Sequence, residues 1–285
     1  MSQYYDIIAY GVLMLLFLML SAIYDRHGAL VPDFVTMPYA LLGLLIGFLQ
    51  GRYISAGIGA LLIVVILTGY YPSWLKKLNR WFIRRSYKTD EEAEEEAIGY
   101  DKEAEAFEEK HGKTMRTIAD VLVLATFAVA GIGILRCFIP NGMMDDDETI
   151  AKCIATGVFI LVWAFLSYNG MLPARSNVEL DAAEEEEEKE SPELSAFGGA
   201  DMIVFLGILG AYGFVGFIYG IVPTTALYIL ACVIQHSLVK DNLLRGRPFI
   251  PSIFAATPIR IILYVTLSAP MMEVFIWANP IWKLI

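Results

Sequence analysis

Apolar residues come in long blocks in this chain. Eight can be counted, most of roughly 15–22 residues, near the ~20 that cross a bilayer as a helix. They run about Ile7–Tyr24, Met37–Gln50, Ile54–Tyr71, Ile118–Phe138, Ile150–Tyr168, Asp201–Tyr219, Val222–Ser237 and Ile253–Ala278. The second is short, and the last is interrupted by Pro258 and Pro270. A β-barrel would show short alternating segments instead. The expectation is an all-α polytopic transmembrane helical bundle of about eight spans in contact with the lipid bilayer. With 57% hydrophobic residues, the composition excludes an ordinary soluble domain. The first block lacks a basic segment before it and a small-residue cleavage site after it, so it reads as a retained span.

The basic residues orient the bundle. Arg26 and His27 follow the first span, and "KKLNRWFIRRSYK" follows the third. Lys113 and Arg116 precede the fourth, Arg175 follows the fifth, and Lys240, Arg245 and Arg247 follow the seventh. Alternating crossings put all of these on one side. Arg52, "NGMMDDDETIAK" and "YGIVP" fall on the other. By the positive-inside rule, both chain ends are predicted outside and the basic loops are cytoplasmic. The net charge of -10 comes mainly from "TDEEAEEEAIGYDKEAEAFEEK", "MMDDDET" and "ELDAAEEEEEKE", which read as solvated segments. No basic, aromatic-interleaved stretch points to nucleic acid.

The expected organisation follows. Residues 1–73 hold three spans, 74–116 a basic then acidic cytoplasmic loop, and 117–170 two additional spans. Residues 171–197 form a second acidic cytoplasmic loop, and 198–285 hold a Gly-Gly-Ala-Asp motif and the last three spans. The three cysteines (Cys137, Cys153 and Cys232) form no CxxC pair, so no metal site is expected, and in apolar runs they read as small hydrophobes. The histidines show no HExxH spacing, which argues against a zinc protease.

Two carboxylates stand at span ends on the predicted cytoplasmic face. Asp25 closes the first span and Asp201 opens the sixth. A carboxylate costs roughly 2.5–3.5 kcal/mol at the bilayer centre and less near the interface, so placement there invites a functional reason. Gly198, Gly199 and Ala200 precede Asp201 and would leave room for an extended peptide backbone. Gly207 and Gly210 further along suit helix–helix packing. After Asp25, Gly28 and Pro32 make a turn, and Asp33 is placed to cap the next helix. Two aspartates held together share a proton, because like charges a few ångströms apart resist joint ionisation. The ionised member then activates water while the protonated one polarises a peptide carbonyl. That is aspartic proteolysis, without metal or cofactor.

At these residues the chain resembles the prepilin peptidases, GxGD-type membrane aspartic proteases that include the archaeal preflagellin peptidases. "YDRHGALVPDFVTMP" is similar to their first motif, "FGGADMIVFLGILG" to their second, and "RPFIPSIFAATPI" to a proline-containing segment opening a late helix. The resemblance implies that Asp25 and Asp201 are the catalytic pair. It makes Tyr24, Asp33, Gly198, Gly199, Ala200 and Pro258 active-site or substrate-contact candidates. Ala200 stands where the motif has glycine, and Ala200→Gly is expected to speed the enzyme. It implies a plasma-membrane enzyme that cleaves the basic leader from a pilin or archaellin precursor at the cytoplasmic face. No cysteine-paired region precedes Asp25, so no methyltransferase activity is expected. Two alternatives remain open at this point. A presenilin or signal-peptide-peptidase type of intramembrane protease also uses Tyr-Asp and Gly-x-Gly-Asp, but its first aspartate does not lie in the first span. A proton-coupled transporter would carry charge near the midplane and a repeat relating its halves.

Overall fold

The computed structural model describes residues 2–28, 31–67, 102–137, 147–168 and 199–239. The described residues form helices and no strands. The helices are α1 (Ser2–Gly28), α2 (Asp33–Leu49), α3 (Tyr53–Leu67), α4 (Lys113–Cys137), α5 (Asp147–Tyr168) and α6 (Gly199–Val239). A π-helical turn, Glu108–Gly112, joins helical residues 102–107 to α4. Three stretches are long and apolar enough to cross a membrane: Ile7–His27, Lys102–Leu135 and Ala200–Ile218. Asp33–Leu49, Tyr53–Ile66 and Cys153–Leu166 are shorter apolar helices. The acidic loops before residue 102 and between 169 and 198, and the last span with Pro258, lie outside the described residues.

Helix α2 is the central element. Every residue from Val35 to Gly47 is buried, as expected of a helix that is apolar on all sides. It packs against α1, α3, α4, α5 and α6, most extensively against α6. Burial by protein on every side accounts for the shortness of this apolar block. Helices α3, α4 and α5 present the opposite pattern. Leu61, Val64, Leu124, Leu135, Leu161 and Phe165 are all exposed. A band of large aliphatic side chains turned outward is consistent with contact with bilayer lipid.

Local chemistry sets the helix ends. Arg26 and His27 occupy the last turn of α1, where cations favour the negative end of the helix dipole. The expectation that Asp33 caps α2 is not met. Pro32 is the cap residue, in extended conformation, and no side chain supplies a capping hydrogen bond. Pro32 already fixes the entry into α2, and Asp33 is the first helical residue, where its charge still suits the helix N-terminus.

At the far end of α2, Gly51 takes φ 75°. The Arg52 N–H donates to the Gly47 carbonyl (2.8 Å) and the Gly51 N–H to the Phe48 carbonyl (3.1 Å). This is a Schellman closure, and its positive φ favours glycine. The Arg52 carbonyl then accepts from the Ala56 N–H (3.1 Å) and the Ser55 hydroxyl (3.2 Å), starting α3.

Arg52 does more than turn the chain. It is buried, and its Nη1 donates to the Ala211 carbonyl of α6 at 2.7 Å. Two residues beyond Ala211, Gly213 adopts φ 68°, ψ -178° and breaks the helix. In a regular helix the Ala211 carbonyl would accept from the N–H of residue 215. The break removes that donor and Arg52 supplies another. The sixth and seventh spans are therefore not separated at "YGIVP" as expected. Residues 219–223 are helical, and the interruption falls at Gly213. The sequence offers Gly220 and Pro223 as a turn, but the glycine with a buried arginine to satisfy the freed carbonyl takes the break instead.

One cysteine departs from its reading as a small hydrophobe: Cys153 is disulfide-bonded. Helices α4 and α5 pack against each other, with Phe127 edge-on to Trp163 at 5.6 Å.

Candidate active site

The helix register fixes the heights of the two aspartates. Helices α2 and α6 run parallel in close approach. A Cβ on Gly43 would strike the Gly207 carbonyl oxygen, and one on Gly47 would strike that of Gly210. A Cβ on Gly207 would lie 2.9 Å from the Ala40 Cα. Gly207 and Gly210 thus serve helix packing. Gly207 is thus level with residues 40–43 of α2, and counting six residues back on each helix puts Asp201 of α6 level with residues 34–37, the turn that Phe34 begins. Phe34 in turn meets Tyr24 of α1 edge-on, at 5.9 Å. Asp25, Phe34 and Asp201 therefore lie at about one height, at the end of the bundle where α2 begins. Both aspartates are partly buried. Among the described residues α1 and α6 meet chiefly through α2.

The carboxylate side of α1 is closed by a group that the sequence reading did not foresee. The acidic residues before the fourth span are not all loop. The helix continues from position 102 through the π turn into α4 without interruption at residue 116. The π turn carries Glu108 to the end of α1. The buried Tyr24 hydroxyl donates to Glu108 Oε2 at 3.2 Å. Arg116 donates to Glu108 Oε1 from Nη2 (3.2 Å) and Nε (3.3 Å). The Arg116 guanidinium also lies over the Phe34 ring, 5.7 Å from its centroid. Phe107 meets Tyr24 edge-on (5.5 Å) and stacks on His27 (4.8 Å, 7°). Gly112 admits this arrangement, because a Cβ there would lie 2.5 Å from the Glu108 carboxyl. One π turn inside a helix re-aims a side chain without ending the helix, and such turns recur at functional sites.

Tyr24, Asp25, Asp33, Ala200 and Asp201 thus lie toward the end of the bundle where α2 begins, those of α1 and those of α6 separated by α2. Gly199 opens α6 beside them. Gly198 and Pro258 lie outside the described residues. Compared with protein-family models, with curated proteins and with solved structures, the chain matches none. Glu108 and Arg116 were missed because an acidic run reads as solvated. One signal was available: Phe107 is the single aromatic residue in "DKEAEAFEEKHG", and an aromatic residue in such a run marks a packing point.

Proposed function

We propose that this protein is a membrane aspartic endopeptidase of the prepilin-peptidase type, with Asp25 and Asp201 as its catalytic pair. The observation that carries this reading is the common height of the two aspartates at one end of the bundle, on helices that flank the same α2. In the proposed reaction, one carboxylate takes a proton from water while the other, protonated, donates to the scissile carbonyl. Water adds to the carbonyl carbon, the C–N bond breaks, and the leaving amine takes a proton. Neither metal nor cofactor enters.

The proposed substrate is a pilin or archaellin precursor. Its apolar helix docks among about eight spans while its basic leader stays on the cytoplasmic side of the plasma membrane. Two observations support that sidedness. Lys110, Lys113 and Arg116 cluster at the aspartate end, as the positive-inside rule requires of a cytoplasmic face. The second rests on taking α4 and α5 as successive antiparallel spans: Phe127 against Trp163 then puts the disulfide-bonded Cys153 level with position 137, on the order of 40 Å along the helix axis from Glu108 at 1.5 Å per residue. Disulfides persist in oxidising, extracytoplasmic compartments. Acidic residues around the site, Glu103, Glu105 and Glu109 among them, suit a basic leader.

The test is to incubate the purified chain in liposomes with a precursor bearing a basic leader and to sequence the new N-terminus. Cleavage between leader and apolar helix is expected. Cleavage within the apolar helix would indicate a presenilin-type protease. No cleavage by a folded protein would contradict the peptidase reading.

A further inference from the structure

Hydroxyls in these helices follow one habit. Ser21 donates to the Phe17 carbonyl (3.0 Å), Thr117 to Lys113 (2.8 Å) and Thr126 to Leu122 (2.8 Å), each four residues back. Thr36 breaks the habit. It is fully buried, yet among the described residues its Oγ1 has no hydrogen-bond partner. The carbonyl four residues back, that of Pro32, already accepts from the Val35 N–H (3.0 Å) and the Thr36 N–H (3.4 Å). An unpaired buried hydroxyl is costly, and valine would fill the same volume without that penalty.

The position of Thr36 gives the hydroxyl a use. Gly43 of α2 meets Gly207 of α6 in the close contact of the two helices. Seven residues is nearly two full turns. Stepping back seven on each parallel helix therefore stays on the same facing stripe and reaches Thr36 and Ala200. Asp201 follows immediately. Val204, one turn above, is also fully buried, so the stripe is closed to solvent there.

Resting on the peptidase reading above, we propose that Thr36 is a positioning residue for the reaction. Its hydroxyl donates to the Asp201 carboxylate across the α2–α6 contact when the catalytic pair assembles. Thr36 is the donor that holds Asp201 ionised and oriented toward Asp25, while α2 itself stays fixed.

The experiment uses the full chain in liposomes, with Thr36→Val and Thr36→Ser beside the parent protein. Cleavage of a basic-leader precursor is followed across pH, and thermal unfolding is recorded for each. Thr36→Val is expected to fold, with a melting temperature equal to or above that of the parent. Its kcat should fall about ten- to a hundredfold, the scale of one hydrogen bond to a charged group, with KM unchanged. A hydrogen bond donated to an ionised carboxylate lowers its pKa, so its loss should move the acid limb of the kcat profile to higher pH. His27, Asp33, Glu108 and Arg116 also sit at this end and are unaltered, so the moved limb reports the Asp25–Asp201 pair. Thr36→Ser should retain the parent kcat and limb.

The inference is overturned if Thr36→Val cleaves as the parent does with the same acid limb. It is equally overturned if Thr36→Val unfolds several degrees earlier, which would make the hydroxyl structural. In both cases the peptidase reading survives, because the parent still cleaves. A parent that cleaves nothing overturns both.

Discussion

At the scale of the residue, the most informative side chains are polar groups placed where polar groups are costly. Arg52 is the clearest, since it is buried and its guanidinium replaces a donor that α6 loses at Gly213. Arg52→Met keeps the aliphatic stem and removes the donor, leaving the Ala211 carbonyl unpaired. The expected cost is about 1–3 kcal/mol, read as a lower melting temperature in detergent. An unchanged melting temperature would show that the carbonyl finds another donor. Arg52 was legible in the sequence only as a charge between two spans. Its partner was not, because a carbonyl freed by a helix break leaves no mark in side-chain identity. Asp33 illustrates the converse. Its residue type suits a cap, but Pro32 already supplies the extended entry into the helix.

At the scale of the element, two close approaches control the site. The first is the parallel contact of α2 with α6 through Gly43, Gly47, Gly207 and Gly210. Gly207→Ala would drive a Cβ against the Ala40 backbone and the Tyr39 ring. Overpacking of this kind costs roughly 1–3 kcal/mol, and here it also shifts Asp201, six residues away on the same helix. Both melting temperature and cleavage rate should fall. Gly131→Ala is the control, because nothing lies within 4 Å of a Cβ there. It should leave the protein unchanged or slightly stabilised. The second approach is the π turn. Gly112→Ala should push Glu108 off Tyr24 and loosen residues 102–112 from the end of α1. Limited trypsin digestion after Lys110 should then speed up by several-fold, and an unchanged rate would contradict the packing role. The helical periodicity of the spans was readable from hydropathy. The π turn was not, because it depends on one glycine letting a glutamate fold back over it.

At the scale of the whole molecule, the charge pattern and the disulfide bear on sidedness through unrelated physics. Apolar blocks made the helical membrane class plain, and the basic loops suggested that Asp25 and Asp201 share a face. The break at Gly213, in place of a loop at "YGIVP", was hidden because both stretches offer glycine and only tertiary contact chooses between them. Sidedness can be checked in sealed vesicles. An impermeant reductant should release the Cys153 thiol only in right-side-out vesicles, and trypsin should cut at Lys110 only in inside-out ones. Reaction of both from the same side would contradict the proposed orientation. The central claim is that Asp25 and Asp201 act as one proton-sharing unit. The most direct measurement is precursor cleavage by the separate variants Asp25→Asn and Asp201→Asn, each confirmed folded by its melting temperature. Each single change should lower the rate at least 10²–10⁴-fold, the scale of general acid–base catalysis, and the double variant should be no worse than either. Parent-like cleavage by either single variant would contradict the claim.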